Sequence, residues 1–325
     1  MFVARPERMF TVPYPDEPLL EQLKDTRIMD ANIPEHEFLQ FRRLQCLIYN
    51  LRLAGYDIEA MHTEVFMSAT FYGYVNCKVA VTRSELDFEI NDAVLQQLAG
   101  KLSPDLVWLT TNANVDHPRI QALPIGITNY CGYHPYHAVI GDTQKFKNLI
   151  DAQMRTQRSL VLMNFLDRTN FAVRNEVRSL FKGKRFVTEI AYGANEIGYA
   201  QYVDGLRSHP FCLAPRGNGI DTHRIWEALY AGCIPIVQKT QALRSFEDLP
   251  ILFVDRWEDA CDENMLIGIR DEYHRRTWDL RKLTLSHWYR TVLELLTTRD
   301  AQKAGPALPA SFGEGSGQGL RPRPT

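Results

Sequence analysis

The chain has 325 residues, with 37 Lys and Arg against 39 Asp and Glu and a formal net charge of −2. That length corresponds to about two domains of roughly 100–200 residues, and the near-neutral balance argues against an electrostatic nucleic-acid binder. No apolar run approaches the ~20 residues needed to span a bilayer. Met1 to Phe10 carries Arg5, Glu7 and Arg8 and no apolar stretch, so no signal peptide is expected. The six cysteines (Cys46, Cys77, Cys131, Cys212, Cys233 and Cys261) include no C-x-x-C pair. They read as reduced core thiols rather than a disulfide framework or a zinc site, which favours the cytoplasm.

In chain order, His36 to Ala54 is the first clear helix, with Phe38, Phe41, Leu44, Ile48 and Leu51 at helical spacing. Strand, helix and strand follow at 77–82, Asp92 to Leu102 and 105–110, with a further short strand at 123–127. From 159 the alternation becomes regular. Strands are expected at 159–165, 186–190, 211–215, 234–238 and 251–255, and helices at 170–181, 196–207, 221–231 and from about Glu258. Such alternation predicts a parallel sheet covered on both faces, with ligands beyond the carboxyl ends of its strands. A long helix is expected from Asp271 to Thr297. The Gly- and Pro-rich segment from Arg299 to Thr325 has no apolar period and reads as disordered. The domain reading is 1–140, 141–270, a helical segment 271–298 and a tail 299–325.

The stretch that carries chemistry is Phe211 to Gln238, FCLAPRGNGIDTHRIWEALYAGCIPIVQ. A buried strand ends at Pro215, and the loop Arg216-Gly217-Asn218-Gly219 leads into a helix opening near Asp221. Glycines permit positive φ and close approach of a ligand, and a helix N-terminus offers unpaired N–H groups to phosphate. Ile225, Ala228, Leu229 and Gly232 form an apolar arc, while His223, Arg224 and Glu227 share the other face. A cation beside an anion-binding loop, with a carboxylate one turn on, fits a nucleoside diphosphate whose ribose hydroxyls the carboxylate accepts. The same pattern also describes an ordinary β-turn-α unit with a surface ion pair. The segment is neither a P-loop, since no Gly-Lys-Ser/Thr follows, nor a complete G-x-G-x-x-G dinucleotide fingerprint.

These residues resemble the donor-binding motif of exostosin-like glycosyltransferases of GT-B architecture: a P-x-G loop, an Arg, a Glu and a G-C-x-P-[IV] strand entry. Related viral, algal and bacterial sequences share further pieces present here: Ser84 to Asp87, Asp116-His117-Pro118-Arg119, Leu123 to Ile127, and Thr169-Asn170 followed by Arg174. The resemblance covers roughly residues 78 to 270. It implies an α/β fold of two Rossmann-like domains facing a cleft, the C-terminal one holding a nucleotide sugar and the N-terminal one a glycan or glycoconjugate acceptor. It also implies inverting transfer with no cofactor and no tightly bound metal, and a viral member would act in the host cytoplasm. The donor set is then Thr169, Asn170, Arg174, Arg216, Gly217, Asn218, Gly219, Asp221, His223, Arg224 and Glu227.

Arg216 or Arg224 would stabilise the leaving diphosphate, Arg224 being preferred for its place on the Glu227 face. Asp87 and Asp116 are the carboxylates available as base on the N-terminal side, with no ground for choosing between them. Asp116-His117 lacks a second ligand at metal spacing and reads as a structural loop. Ser84 and Asp87 serve either the cleft or a turn. His134 and His137 are candidates for substrate contact, and Trp257, Trp278 and Trp288 for packing. Two other functions share the pattern: a non-catalytic nucleotide- or sugar-binding module, and a nucleotide-sugar epimerase.

Overall fold

The computed structural model describes residues 15–84, 88–131, 135–152, 156–193 and 195–300. Among the described residues, nine strands form two parallel sheets. The first holds β1 (Ile58–His62), β2 (Val79–Arg83), β3 (Val107–Thr110) and β4 (Ile120–Ala122) in the order 1-2-3-4. The second holds β5 (Val161–Met163), β6 (Val187–Glu189), β7 (Phe211–Leu213), β8 (Ile234–Gln238) and β9 (Leu252–Val254) in the order 9-8-7-5-6. The strand order of the second sheet reverses between β5 and β7. In a parallel sheet that switch opens a crevice at the carboxyl ends of the strands. The architecture is the expected α/β fold, with two parallel sheets.

The apolar runs explain the strand positions. Every residue of β2, β3, β5 and β7 is buried, as expected for strands covered on both faces. Helices α1 (Phe41–Leu53) and α2 (Thr63–Phe71) accompany the first sheet. Helices α3 (Phe171–Phe181), α4 (Glu196–Ser208), α5 (His223–Ala231) and α6 (Glu263–Arg275) accompany the second. One continuous apolar cluster runs from the first sheet through α5 to the C-terminal helix, and a second fills the other face of the second sheet.

Several elements depart from the sequence expectation. The first helix begins at Phe41 rather than His36, because Phe38 and Gln40 form backbone bridges to Thr284 and Gly126. Strand β1 and helix α2 were not foreseen. The apolar run 123–127 is a buried loop following β4, held by Ile127 N–H on the Leu39 carbonyl and Leu123 N–H on that of Thr110. The long helix expected over 271–297 is broken in two. Helix α6 ends at Arg275, Thr277–Trp278 pairs with Thr26–Arg27, and α7 (Leu285–Asp300) starts anew. Helix α7 runs through Arg299 and Asp300, and the remainder of the expected tail lies outside the described residues.

Helix α7 returns to the first unit and packs on α1. Its second residue is anchored there: the buried Glu37 carboxylate accepts Ser286 N–H at 2.9 Å and Ser286 Oγ–H at 2.6 Å. Nearby, Tyr230 on α5 accepts Leu39 N–H at 2.9 Å and donates to the Leu283 carbonyl at 2.5 Å.

Gly126 closes this junction. Its φ is +66°, and a Cβ there would stand 2.2 Å from the Leu39 carbonyl oxygen. Gly126→Ala combines left-handed strain with a backbone clash and should lower the unfolding free energy by at least about 2 kcal/mol. A urea midpoint equal to that of the parent would show that the loop yields freely.

Candidate active site

A cavity of about 610 Å³ opens where the carboxyl ends of the two sheets face each other. From the second sheet it is lined by Asn164 and Leu166 after β5, and by Gly217 to Gly219 and Asp221 to Arg224 after β7. From the first sheet come Arg83 and Ser84 at the end of β2 and Asn112 after β3. Arg42, Tyr130 and His137 close the same side.

The positive φ expected of the loop glycines is absent. Neither Gly217 nor Gly219 has a positive φ; both are needed for close approach. A Cβ on Gly217 would lie 2.7 Å from Arg174 Nη2, and one on Gly219 would lie 2.7 Å from Asn112 Nδ2. Asn112 itself has φ +55°, a conformation asparagine tolerates better than most residues.

The Thr169–Arg174 segment holds this loop in shape. Arg174 is buried and donates from Nε to the Arg216 carbonyl (3.0 Å), from Nη1 to that of Leu166 (2.8 Å) and from Nη2 to that of Pro215 (3.3 Å). Asn170 caps α3 through Val173 N–H and donates to the Gly217 carbonyl at 3.2 Å. Thr169 Oγ1 donates to the Leu166 carbonyl. Thr169 and Arg174 line the cavity, and their hydrogen bonds brace the 215–219 loop.

Arg216 and Asp221 tie the two units together. Arg216 is not among the cavity-lining residues and pairs with Glu89 of the first unit at 2.5 Å. Asp221 lies before α5, whose first residue is His223 rather than the expected 221. Its buried carboxylate accepts Ile125 N–H at 2.6 Å and Trp226 Nε1–H at 2.7 Å, while its own N–H donates to Asn112 Oδ1 at 3.0 Å. Burial outweighs these donors and raises its pKa to about 7.

Helix α5 is buried over Arg224 to Ala231, on more than the single apolar arc read from its spacing. Arg224 and Glu227 reach the cavity from within this packing. Arg224 lies 5.5 Å over the Tyr202 ring, and its one recorded side-chain hydrogen bond is a long one to Asn164 Oδ1, 3.4 Å. Its Nε is buried without a partner, as is Thr222 Oγ1 at the N-cap of α5. Glu227 accepts the Tyr202 hydroxyl at 2.9 Å. Burial raises the Glu227 pKa against the pull of Tyr202 and Arg224.

His223 is half-buried and lines the cavity, its Nδ1–H donating to the Gly126 carbonyl at 2.7 Å. Burial, aided by the charge of Arg83, lowers its pKa to about 3, so the ring is neutral at physiological pH. Asn218 is exposed at the cavity mouth. Of the two carboxylates named as bases, Asp87 lies outside the described residues, and Asp116 is exposed and stands apart from the cavity lining. His117 Nδ1 accepts Arg119 N–H, a turn contact. His134 lies outside the described residues, and the three tryptophans pack in the cores.

Sequence reasoning missed Asn112, Asn164 and Arg83. Each is a polar residue at or just past the end of a buried apolar strand, which is the signal that marks them. Among the described residues, Asp16, His36 and Glu37 bring three ligand atoms together, but they lie away from the cavity, and Glu37 is engaged by Ser286.

Residues 141–258 match the family model of the Exostosin GT47 domain. Exostosin-1 of Drosophila melanogaster is 34% identical over 92 residues, 26% of this chain and 11% of its own length. Exostosin-1a of Danio rerio is 32% identical over 94 residues, 27% of this chain and 12% of its own. The matches thus span little of those relatives. A crystal structure of an α1,3-fucosyltransferase aligns over 74% of this chain and 88% of its own, at 12% identity and a TM-score of 0.37. The resemblance read from the 211–238 segment thus extends over residues 141–258, which are similar to the Exostosin GT47 domain. Among the described residues, no helix is long and apolar enough to cross a membrane.

Asp221 generates a pH prediction. Its folded pKa of about 7 exceeds the ordinary carboxylate value near 4, so the folded state binds the proton more tightly. Its contribution to stability is then greatest below about pH 4 and falls as pH rises to about 7, by up to ~1.4 kcal/mol per unit. Urea titrations of the parent and Asp221→Asn should therefore give a stability difference that declines over this window and levels above it. A difference independent of pH would place the carboxyl at its ordinary value.

Proposed function

We propose that the protein is a glycosyltransferase that moves a hexosyl or pentosyl unit from a nucleotide sugar to a hydroxyl of a glycan or glycoconjugate, with inversion and without a bound metal ion. The observation that carries this reading is the pair of buried orphan groups, Arg224 Nε and Thr222 Oγ1, at the N-terminus of α5. A buried guanidinium with so little compensation is costly unless a ligand completes it. A diphosphate does so, lying against the free N–H groups of the helix. Glu227 stands one turn on, with one oxygen engaged by Tyr202 and the other available to ribose hydroxyls.

In this reading α5 and Arg224 oppose the negative charge that grows on the leaving diphosphate. The Arg174 and Asn170 contacts keep the 215–219 loop preorganised, and Asn218 meets the donor at the mouth. The six free cysteines accord with a reducing compartment, and we place the protein in the cytoplasm on that ground.

Melting-temperature shifts with UDP and GDP, followed by release of nucleoside diphosphate from UDP- and GDP-sugars, test the reading. Binding with slow hydrolysis is expected. Binding without hydrolysis points to the non-catalytic module, and an isomeric nucleotide sugar to an epimerase. Arg224→Ala should lower kcat by about 10²–10³, with partial rescue by Lys, which keeps the charge but loses the planar fork. Glu227→Ala should weaken nucleotide binding by about 1.5–3 kcal/mol. EDTA should leave turnover unchanged. A chelator-sensitive rate, or an Arg224→Ala enzyme that turns over normally, contradicts the corresponding part of the proposal.

A further inference from the structure

A displacement at the anomeric carbon needs a group to take the acceptor proton, and the cavity limits the choice. Among the described residues, its lining contains two carboxylates, Asp221 and Glu227. Both Asp221 oxygens are held by Ile125 N–H and Trp226 Nε1–H. Glu227 is hydrogen-bonded to Tyr202 and lies a helical turn inside α5, beside Arg224. Glu64 and Glu89 of the first unit are engaged by Ser84 and Arg216.

His223 is differently placed. It is the first residue of α5, yet its ring crosses to the other unit, where Nδ1–H donates to the Gly126 carbonyl. That bond fixes both the ring orientation and the tautomer, leaving Nε2 as the lone-pair nitrogen. Gly126 cannot drift, because its own position is set by close packing on the Leu39 backbone. The geometry is that of a base oriented by a third group. The charged and titratable groups that act on the ring are Arg83 and His137, both on the first-unit side.

Building on the glycosyltransferase reading, we propose that His223 is the catalytic base, its Nε2 removing the proton of the attacking hydroxyl. The acceptor O–H bond breaks as its proton passes to Nε2, and the oxygen bonds to the anomeric carbon. The bond from that carbon to the diphosphate oxygen breaks, its electron pair leaving on the diphosphate. The imidazolium returns its proton to water as products depart. Burial, and after it the charge of Arg83, disfavour a proton on the ring, and the negative diphosphate offsets the Arg83 part.

His223→Asn tests the proposal, because the Asn amide keeps an N–H near the Gly126 carbonyl but lacks the ring nitrogen. The probes are UDP and GDP for binding, and UDP- and GDP-sugars with water as acceptor for turnover. The variant should melt with the parent, bind the nucleoside diphosphate within about twofold and lose 10²–10³ in kcat. In His223→Ala, added imidazole should restore part of the rate. If Asn disturbs the fold, this rescue alone decides the matter. Turnover equal to the parent's overturns the proposal, as does loss of nucleotide affinity in proportion to rate, or the absence of imidazole rescue. A parent protein that neither binds nor hydrolyses any probe overturns the glycosyltransferase reading itself, and this inference with it.

Discussion

The buried carboxylate of Asp221 is the contact on which the rest of the site depends. It gathers a backbone N–H from the loop after the first sheet and the indole N–H of α5, while its own amide bonds Asn112 beyond β3. Three chain segments far apart in sequence are thereby fixed around one residue. The Gly126 carbonyl, the start of α5 and the 217–219 loop all take their positions from it. A side chain of similar size but opposite hydrogen-bonding sense would set donor against donor in a space that excludes water.

Around this fixed point the polar groups divide into two kinds. Arg174, Asn170 and Arg216 bond protein atoms and keep the walls of the cavity in place. Arg224 and Thr222 each hold a buried polar atom without a partner, and with His223 they line its interior. The first kind makes the second possible, since a guanidinium can remain buried and undercommitted only where the surrounding packing does not relax onto it. Tyr202 serves both kinds, with its ring under Arg224 and its hydroxyl on Glu227.

The second sheet was legible in the sequence because its inner strands are buried on both faces and read as plain apolar runs. The first unit was less so. Strand β1, Ile58–His62, is half-buried over most of its length at a sheet edge, so neither alternation nor an apolar run marks it. The 123–127 run is apolar because it is a buried loop, and local pattern does not separate that from a strand. In 271–297 the helical spacing belongs partly to residues that pack from a strand and a turn. At the site, Arg224 and Glu227 followed from their spacing on one helix. The roles of Asp221 and Arg174 did not, because their partners are backbone groups of distant segments. Tyr202 carries no local pattern and Asn164 only its place just past an apolar strand, and both matter through the position of Arg224.

The return of α7 to the first unit bears on biosynthesis. Glu37 and Ser286 lie 249 positions apart, and α1 shares its packing with a helix made after both sheets. During translation the second unit has all its strands before that helix exists, whereas the first unit keeps an apolar flank of α1 uncovered. Domains usually fold in the order of their synthesis, and exposed apolar surface on unfinished intermediates invites aggregation. Here the order is reversed at its last step. Of the two units, the one made earlier is completed only once α7 has been made.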